Sequence, residues 1–185
     1  YIALTGPALS EKQTEALNVI RQSGLELTQF IESILDLGRI ESEEIKLRLT
    51  SKDINVVITE VLAKYDFMIK TKNITVEAKL EPLFSIRFDV DLIRQVFSNL
   101  LENALKYSPS GRRIWIRSEE SSDQIRVVFK DEGSGIQPDE IKNIFLKFYR
   151  SKDVKNSKIK GSGLGLYLAN YFVQLHRGTL SVDSG

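Results

Sequence analysis

The chain has 185 residues, of which 42% are apolar and 28% are charged, and its formal net charge is +1. This near-neutral charge gives no general attraction to nucleic acid or to an acidic membrane surface, so neither is expected as a partner. Cysteine is absent, which excludes disulfides and thiolate metal sites, and no apolar run has the length that a bilayer requires. The chain begins at Tyr1 and not at Met, which indicates a piece of a longer protein.

The first predicted element is a long amphipathic helix. Ser10 and Gln13 have the spacing of a capping box, which marks a helix start. From there to about position 41, apolar residues recur every seven positions, at Ile20, Leu27 and Ile34. Such a stripe is typical of a helix that packs against partner helices, and the alternative is one helix lying on a globular core. Because this helix precedes the other elements instead of alternating with them, the bundle is favoured.

The rest of the chain has the order of an α+β fold. Asp53 and Asp89 stand where N-caps of two long helices are expected. The predicted strands cover residues 44–50, 74–81, 83–89, 112–121, 124–131 and 179–182. The predicted helices cover residues 53–73, 90–108, a short stretch from residue 138, and about 164–176. This order predicts an α/β sandwich with helices on one face of a mixed sheet.

A glycine-rich run, "GSGLGL" at residues 161–166, lies where a Lys- and Ser-rich loop meets the last helix. Glycine lets the backbone approach a ligand closely, and the free N–H groups of a helix start attract phosphate. No Lys-Ser or Lys-Thr pair follows, so this is not a Walker A loop, and no strand precedes it, as a dinucleotide fingerprint requires. A plain hinge before the helix is the alternative.

A second motif, "KDEGSGI", places Asp131 at a strand end with two glycines just after it. A carboxylate there can accept a hydrogen bond from an exocyclic amine such as that of adenine. The alternative is an ordinary turn with a local side-chain hydrogen bond.

A third motif, "NLLENALKY", lies on the helix that starts at Val90. Asn99 and Asn103 are four residues apart and Lys106 is three further on, so the three share a helix face. Two amides and a lysine suit hydrated Mg²⁺ and phosphate oxygens. The alternative is that they are solvated surface groups.

The segments "NLLENALKY", "DEGSGI", "FLKFYR" and "GSGLGL", in this order, resemble the N, G1, F and G2 boxes of sensor histidine kinases of two-component systems. The resemblance covers about the whole chain. It implies that residues 44–185 form a Bergerat-type catalytic ATP-binding domain, with its last strand cut short. It also implies that residues 1–43 are part of the dimerisation and phosphotransfer hairpin, without its first helix.

The resemblance implies a role for each motif residue. Asn103 would bind Mg²⁺, Asn99 would lie near the metal and phosphates, and Asn99, Lys106 and Arg150 would be the catalytic residues. Asp131 would bind the adenine amine. Phe145 and Phe148 would anchor a lid formed by residues 151–160. The remaining implied nucleotide contacts are Tyr107, Gly133, Gly135, Ile136, Gly161, Ser162, Gly163, Leu164, Gly165 and Leu166.

The same resemblance implies ATP and Mg²⁺ as cofactors, a response regulator as partner, and a homodimer formed through the N-terminal helix. It implies a cytoplasmic location for a parent protein that can still be membrane-anchored. The predicted reaction is transfer of the γ-phosphoryl group of ATP to a histidine on the missing helix.

Two rival functions stay open on the sequence. Gyrase-like ATPases are expected to carry a glutamate where Asn99 stands, and an amide is not a base at neutral pH. Glu102 is expected to point to a different face from Asn99 and Asn103. The second rival is a kinase-like scaffold that has lost transfer activity.

His176 is the only histidine in the chain. It matches a family position after the last helix and not the phosphoacceptor, so it is predicted to be structural. A partial positive charge on the ring would be favourable at a helix C-terminus.

Overall fold

The computed structural model describes residues 9–42, 45–121, 124–151 and 161–184. The chain divides into two compact units, Tyr1–Glu43 and Glu44–Gly185. Among the described residues, no helix is both long enough and apolar enough to cross a bilayer.

The first unit is built on one helix, α1, which spans Glu11–Glu41. The predicted capping box is confirmed, because the Ser10 N–H donates to Gln13 Oε1 at 2.9 Å and the Gln13 N–H donates to Ser10 Oγ at 3.4 Å. The apolar residues of the predicted stripe, Ile20, Leu27 and Ile34, are all exposed.

In its described residues, the second unit contains three helices and five strands. The strands are β1 (Leu49–Lys52), β2 (Thr75–Leu80), β3 (Ile86–Asp89), β4 (Arg113–Ser121) and β5 (Gln124–Asp131). The helices are α2 (Ile54–Thr71), α3 (Val90–Tyr107) and α4 (Gly165–Leu175). Both predicted caps are confirmed: Asp53 accepts from the Asn55 N–H at 2.8 Å, and Asp89 accepts from the N–H groups of Asp91 and Leu92 at 3.2 Å.

The sheet that supports the helices is mixed. β4 lies in its centre, parallel to β2 and antiparallel to β5. Ile114 and Ile116 of β4 are fully buried while Arg113 is exposed, which is the alternation of a sheet with one covered face. The Phe97 ring of α3 lies 5.7 Å from that of Phe129 on β5, so α3 packs on this face. The predicted α+β class is confirmed.

The remaining two strands form a separate ladder. β1 pairs antiparallel with β3, and Leu49 lies opposite Asp89. The described strands therefore form two separate ladders, where the sequence predicted a single sheet. The strand predicted at residues 44–50 is observed later, at Leu49–Lys52. Its partner β3 ends at Asp89, where α3 begins. Residues before Leu49 consequently have no strand residue of β3 opposite them.

Two further predicted elements differ from the structure. From residue 138 the chain forms consecutive turns and not an α-helix: the N–H groups of Glu140, Asn143 and Leu146 each donate to the carbonyl three residues earlier. Residues 179–182, predicted as a strand, pair with none of the strands in the described ranges.

His176 caps α4 and connects it to the start of α3. Its Nε2 accepts the backbone N–H of Asp89 at 2.9 Å, and its Nδ1 lies 2.6 Å from the carbonyl oxygen of Phe172. A backbone N–H can only donate, so Nε2 carries no proton and Nδ1 is the donor to Phe172. The ring has the structural position that was predicted, with a backbone partner at each nitrogen.

Candidate functional site

Helix α3 holds the polar residues of the first predicted site motif. Its fully or nearly buried side chains include Ile93, Val96, Phe97, Leu101, Ala104 and Leu105. Asn99, Asn103, Lys106 and Tyr107 are half-buried and lie at the border of that apolar face. The helix therefore anchors them by its packing while leaving them partly accessible.

Asn99 contacts the glycine-rich run at the start of α4. Its Nδ2 donates to the carbonyl oxygen of Gly165 at 3.1 Å, and a Cβ built on Gly165 would lie 3.4 Å from Asn99 Oδ1. The amide side chain thus lies directly against this glycine backbone.

Lys106 lies beside the first glycine of the same run. Its Nζ is 4.0 Å from the position that a Cβ on Gly161 would occupy. Lys106 also forms an ion pair with Glu102, with Nζ 2.6 Å from Oε1. An ammonium next to a glycine backbone is suited to an anion bound at that loop.

Glu102 was expected to point to a different face from Asn99 and Asn103, but the structure joins it to the site through Lys106. Its other oxygen, Oε2, accepts the Tyr65 hydroxyl of α2 at 3.2 Å. Burial, reinforced by the adjacent Glu102 carboxylate, raises the pKa of Tyr65, so the phenol stays protonated and remains a donor. Sequence reasoning missed Tyr65, whereas the spacing of Glu102 and Lys106 on one helix was a readable signal.

Asp131 ends β5 and lies against the C-terminus of α3. Its Oδ1 accepts the Gly133 N–H at 2.8 Å. A Cβ on Gly133 would lie 2.5 Å from Asp131 Oδ1 and 3.2 Å from the Tyr107 carbonyl oxygen, so a side chain there would displace the Asp131 carboxylate and crowd the end of α3. Desolvation raises the pKa of Asp131, and the Gly133 N–H partly offsets this shift. Among the described residues no donor to the second carboxylate oxygen is seen, so that oxygen can accept from a ligand.

The loop after Asp131 is held by the end of the chain. Ser184 Oγ accepts the Ile136 N–H at 2.9 Å. Gly135 has φ +72°, and a Cβ on it would lie 3.2 Å from the same hydroxyl oxygen. No local pattern pointed to Ser184, because its contact depends on how residues 179–184 return to this loop.

Gly163 joins the glycine-rich run to the residues after the turns. It has φ +73°, and a Cβ on it would lie 2.7 Å from the Phe148 carbonyl carbon and 2.8 Å from the Tyr149 oxygen. Phe148 itself has φ +60° and a side chain that is 51% exposed. The two predicted motifs therefore touch through their backbones.

Ser162 and Leu164 lie just before the start of α4. The Leu164 N–H donates to Ser162 Oγ at 3.2 Å, and the Leu164 side chain is completely buried. The core holds that side chain, so it is not available to a ligand.

Within the described ranges, the contacts set out above involve none of three predicted residues: Asn103, Phe145 and Leu166. Arg150 is half-buried and has an interaction of its own. Of the predicted lid, residues 152–160 lie outside the described residues.

The donor chemistry of the site fits Mg²⁺ only together with a ligand. In the part of the chain that the structure describes, no group of three His, Cys, Asp or Glu side chains could hold a metal ion. Amide oxygens and phosphate oxygens are hard donors of the kind Mg²⁺ takes, with water completing its shell. Asn99 supplies such an oxygen beside the Gly165 backbone, and Asn103 carries another amide oxygen four residues later on α3.

The family profile described as "Histidine kinase-, DNA gyrase B-, and HSP90-like ATPase" matches residues 88–185, slightly more than half of the chain. The chain belongs to this ATPase family. All the elements that carry the predicted site, from α3 to α4, lie within the matched residues.

Individual relatives of this ATPase chain are sensor kinases. Sensor protein kinase WalK of Staphylococcus saprophyticus is 26% identical over 176 residues, covering 94% of this chain and 29% of WalK. The chain thus spans under a third of that relative. The structure of ShkA in complex with AMPPNP covers 90% of this chain and 35% of ShkA, with a TM-score of 0.74 and 24% identity. The structure of histidine kinase ThkA in complex with the response regulator TrrA has a TM-score of 0.70 and 22% identity. It covers 92% of this chain and 47% of the chain in that structure.

These comparisons confirm the predicted resemblance to sensor histidine kinases and the predicted Bergerat-type fold. The chain contains the ATP-binding catalytic domain of a histidine kinase. They favour no gyrase-like alternative, since the relatives described above are kinases.

Proposed function

We propose that this chain binds ATP with Mg²⁺ and transfers the γ-phosphoryl group to a histidine, for relay to an aspartate of a response regulator. The observation that supports the proposal is that α3 contacts glycine backbone of both motifs. Asn99 lies at Gly165 and Lys106 at Gly161, and Tyr107 lies at Gly133, whose N–H donates to Asp131. The AMPPNP complex of ShkA and the response-regulator complex of ThkA support the ligand and the partner class. A domain that uses ATP belongs in the compartment that supplies it, the cytoplasm.

In this proposal, different residues of the cluster contact the adenine and the phosphates. Asp131 accepts the adenine amine through the carboxylate oxygen that Gly133 does not occupy. Lys106, Tyr107 and Arg150 contact phosphate oxygens, and the glycines from Gly161 to Gly165 approach the triphosphate with their backbone.

Asn103 would hold Mg²⁺ by its amide oxygen, and Asn99, four residues earlier on α3, would lie near the metal and the phosphates. Bound Mg²⁺ would neutralise charge on the phosphates. The chain's own contribution is positioning and charge stabilisation, because little covalent chemistry falls to the protein in phosphoryl transfer. The unprotonated nitrogen of a neutral acceptor imidazole would form a P–N bond as the P–O bond breaks and ADP leaves. The proton on the other ring nitrogen would then pass to solvent.

Asn99 favours transfer over hydrolysis, because an amide cannot take a proton from water at neutral pH. With ATP labelled at the γ-phosphate and a histidine-bearing helical hairpin supplied in trans, we expect label on the hairpin. Without the hairpin we expect slow release of phosphate. Brisk phosphate release without an acceptor would favour a gyrase-like ATPase, and nucleotide binding without transfer would favour a scaffold.

The acceptor in this proposal is not His176. Both of its ring nitrogens already have backbone partners, Asp89 and Phe172, so a phosphoryl group on either would break a structural hydrogen bond. The matched control in the transfer assay is His176→Gln, which should leave transfer to the hairpin intact in folded protein. Label on His176 itself would contradict this assignment.

Residues 1–43 are proposed to be the dimerisation segment, and residues 44–185 the catalytic domain. The support is the exposed stripe of Ile20, Leu27 and Ile34 on α1. Exposed apolar surface of this kind drives association. We expect concentration-dependent self-association in sedimentation equilibrium, and its loss in the variant Ile20→Glu/Leu27→Glu. A monomeric mass at high concentration for the unmodified chain would contradict it.

A further inference from the structure

The pair formed by Glu102 and Lys106 is built more firmly than a surface ion pair. Both side chains are partly shielded from solvent, with 17% of Glu102 and 33% of Lys106 exposed. One oxygen of Glu102 takes the Lys106 ammonium at 2.6 Å, and the other takes the hydroxyl of Tyr65, a buried residue of α2. The carboxylate thus joins two helices and the lysine.

A lysine that must meet phosphate benefits from such a partner. Its ammonium is a point charge at the end of a flexible four-carbon chain, and ordering that chain costs entropy. A glutamate four residues earlier on the same helix is the favourable orientation for an ion pair. Here the pair leaves Nζ 4.0 Å from the position of a Cβ on Gly161, the first glycine of the run. The ammonium is therefore already beside the loop before any ligand arrives.

We propose that Glu102 is a positioning residue for phosphate binding: with Tyr65 holding its carboxylate, it orders the Lys106 ammonium beside Gly161. The inference rests on the proposed function, since it assigns Lys106 to the phosphates. Glu102 itself does not touch the nucleotide. An ammonium has three donors, so Lys106 can keep Glu102 while donating to a phosphate oxygen.

The test is calorimetric binding of AMPPNP, ADP and adenosine, with Mg²⁺, to the 185-residue chain and to Glu102→Gln. The amide keeps the size of the side chain and its contact with Tyr65 but removes the charge that orders Lys106. We expect AMPPNP and ADP to bind roughly five- to tenfold more weakly. Adenosine, which has no phosphate, should bind within about twofold of the unmodified chain.

The matched control is Asp66→Asn. Asp66 and Lys70 form the same kind of carboxylate–lysine pair four residues apart, on α2, but both side chains are largely exposed. This variant should bind all three ligands as the unmodified chain does. Glu102→Asp, which restores the charge, should recover part of the lost affinity.

A double-mutant cycle separates positioning from general damage. In a Lys106→Met background, Glu102→Gln should have no further effect on AMPPNP binding, because the group that it orders is gone. Tyr65→Phe keeps the buried ring but removes the hydroxyl that holds Glu102, so it should also weaken AMPPNP binding. This variant provides the test if Glu102→Gln does not fold.

Three results would overturn the inference: unchanged AMPPNP affinity, tighter binding through removal of a negative charge, or an equal loss for adenosine. Failure of the unmodified chain to bind AMPPNP would instead refute the proposed function, so the two failures are distinguishable.

Discussion

Replacing Gly163 with alanine is expected to lower the free energy of unfolding by about 2–4 kcal/mol and to weaken nucleotide binding at least about tenfold. Two effects add at this position. The backbone has φ +73°, which alanine adopts only with strain. The new Cβ would also lie 2.7 Å from the Phe148 carbonyl carbon, and backbone atoms cannot move aside as the end of a side chain can. The loop must therefore shift away from the position that places Gly161 near Lys106.

Gly111→Ala is the matched control for this prediction. Gly111 has a similar φ of +80°, but a Cβ there meets nothing within 4 Å. Gly111→Ala should lower the free energy of unfolding only by the backbone strain, about 1–2 kcal/mol, and should leave nucleotide affinity unchanged. Urea unfolding of both variants gives the comparison. Equal losses of stability would show that the contact with Phe148 contributes nothing.

The second large effect concerns Asp131→Asn, which should reduce AMPPNP affinity by roughly tenfold to a hundredfold. The Gly133 N–H donates to Oδ1 and holds the side chain in one orientation. An asparagine held in the same way would keep its oxygen on Gly133 and present its NH₂ group to the ligand. That group is a donor, and so is the exocyclic amine of adenine, so a hydrogen bond becomes a contact between two donors.

The same substitution should leave the nucleotide-free protein slightly more stable at pH 7. The pKa of Asp131 is raised by desolvation, which means that folding disfavours its charged form. A raised carboxyl pKa contributes stability that is present below the unfolded pKa and is lost as the pH rises through the folded pKa. At pH 7 the charge carries this penalty, and asparagine removes it.

Thermal unfolding at pH 7 and calorimetric titration with AMPPNP measure the two halves of this prediction. In the unmodified chain, affinity should also fall on acidification, beginning at a higher pH than an ordinary aspartate would give, because protonation removes the acceptor. Unchanged affinity in Asp131→Asn would refute the assignment of Asp131 to the adenine amine, whatever the thermal result.

The starts of α1, α2 and α3 were predictable from the sequence because each is decided by residues close together in the chain. The caps at Ser10, Asp53 and Asp89 depend on backbone N–H groups two or three residues away. The site motifs were readable for a similar reason, since Asn99, Asn103 and Lys106 share a face by helical geometry alone.

Features that depend on a distant partner were not predictable. The alternating pattern at residues 44–50 was real, but β1 begins only at Leu49, because that is where β3 supplies an opposite residue. The tautomer of His176 depends on the Asp89 N–H, which lies 87 residues earlier. The contacts of Tyr65 with Glu102 and of Ser184 with Ile136 likewise need the folded topology.

Asp89 connects parts of the catalytic unit that are far apart in sequence. Its carboxylate accepts the Arg48 N–H at 2.8 Å while capping α3, and its own N–H donates to the His176 ring. The beginning, the middle and the end of this unit are thus joined at one residue. Local unfolding from either end of the unit is therefore opposed by contacts at this one residue. We expect the unit to unfold cooperatively, in a single transition.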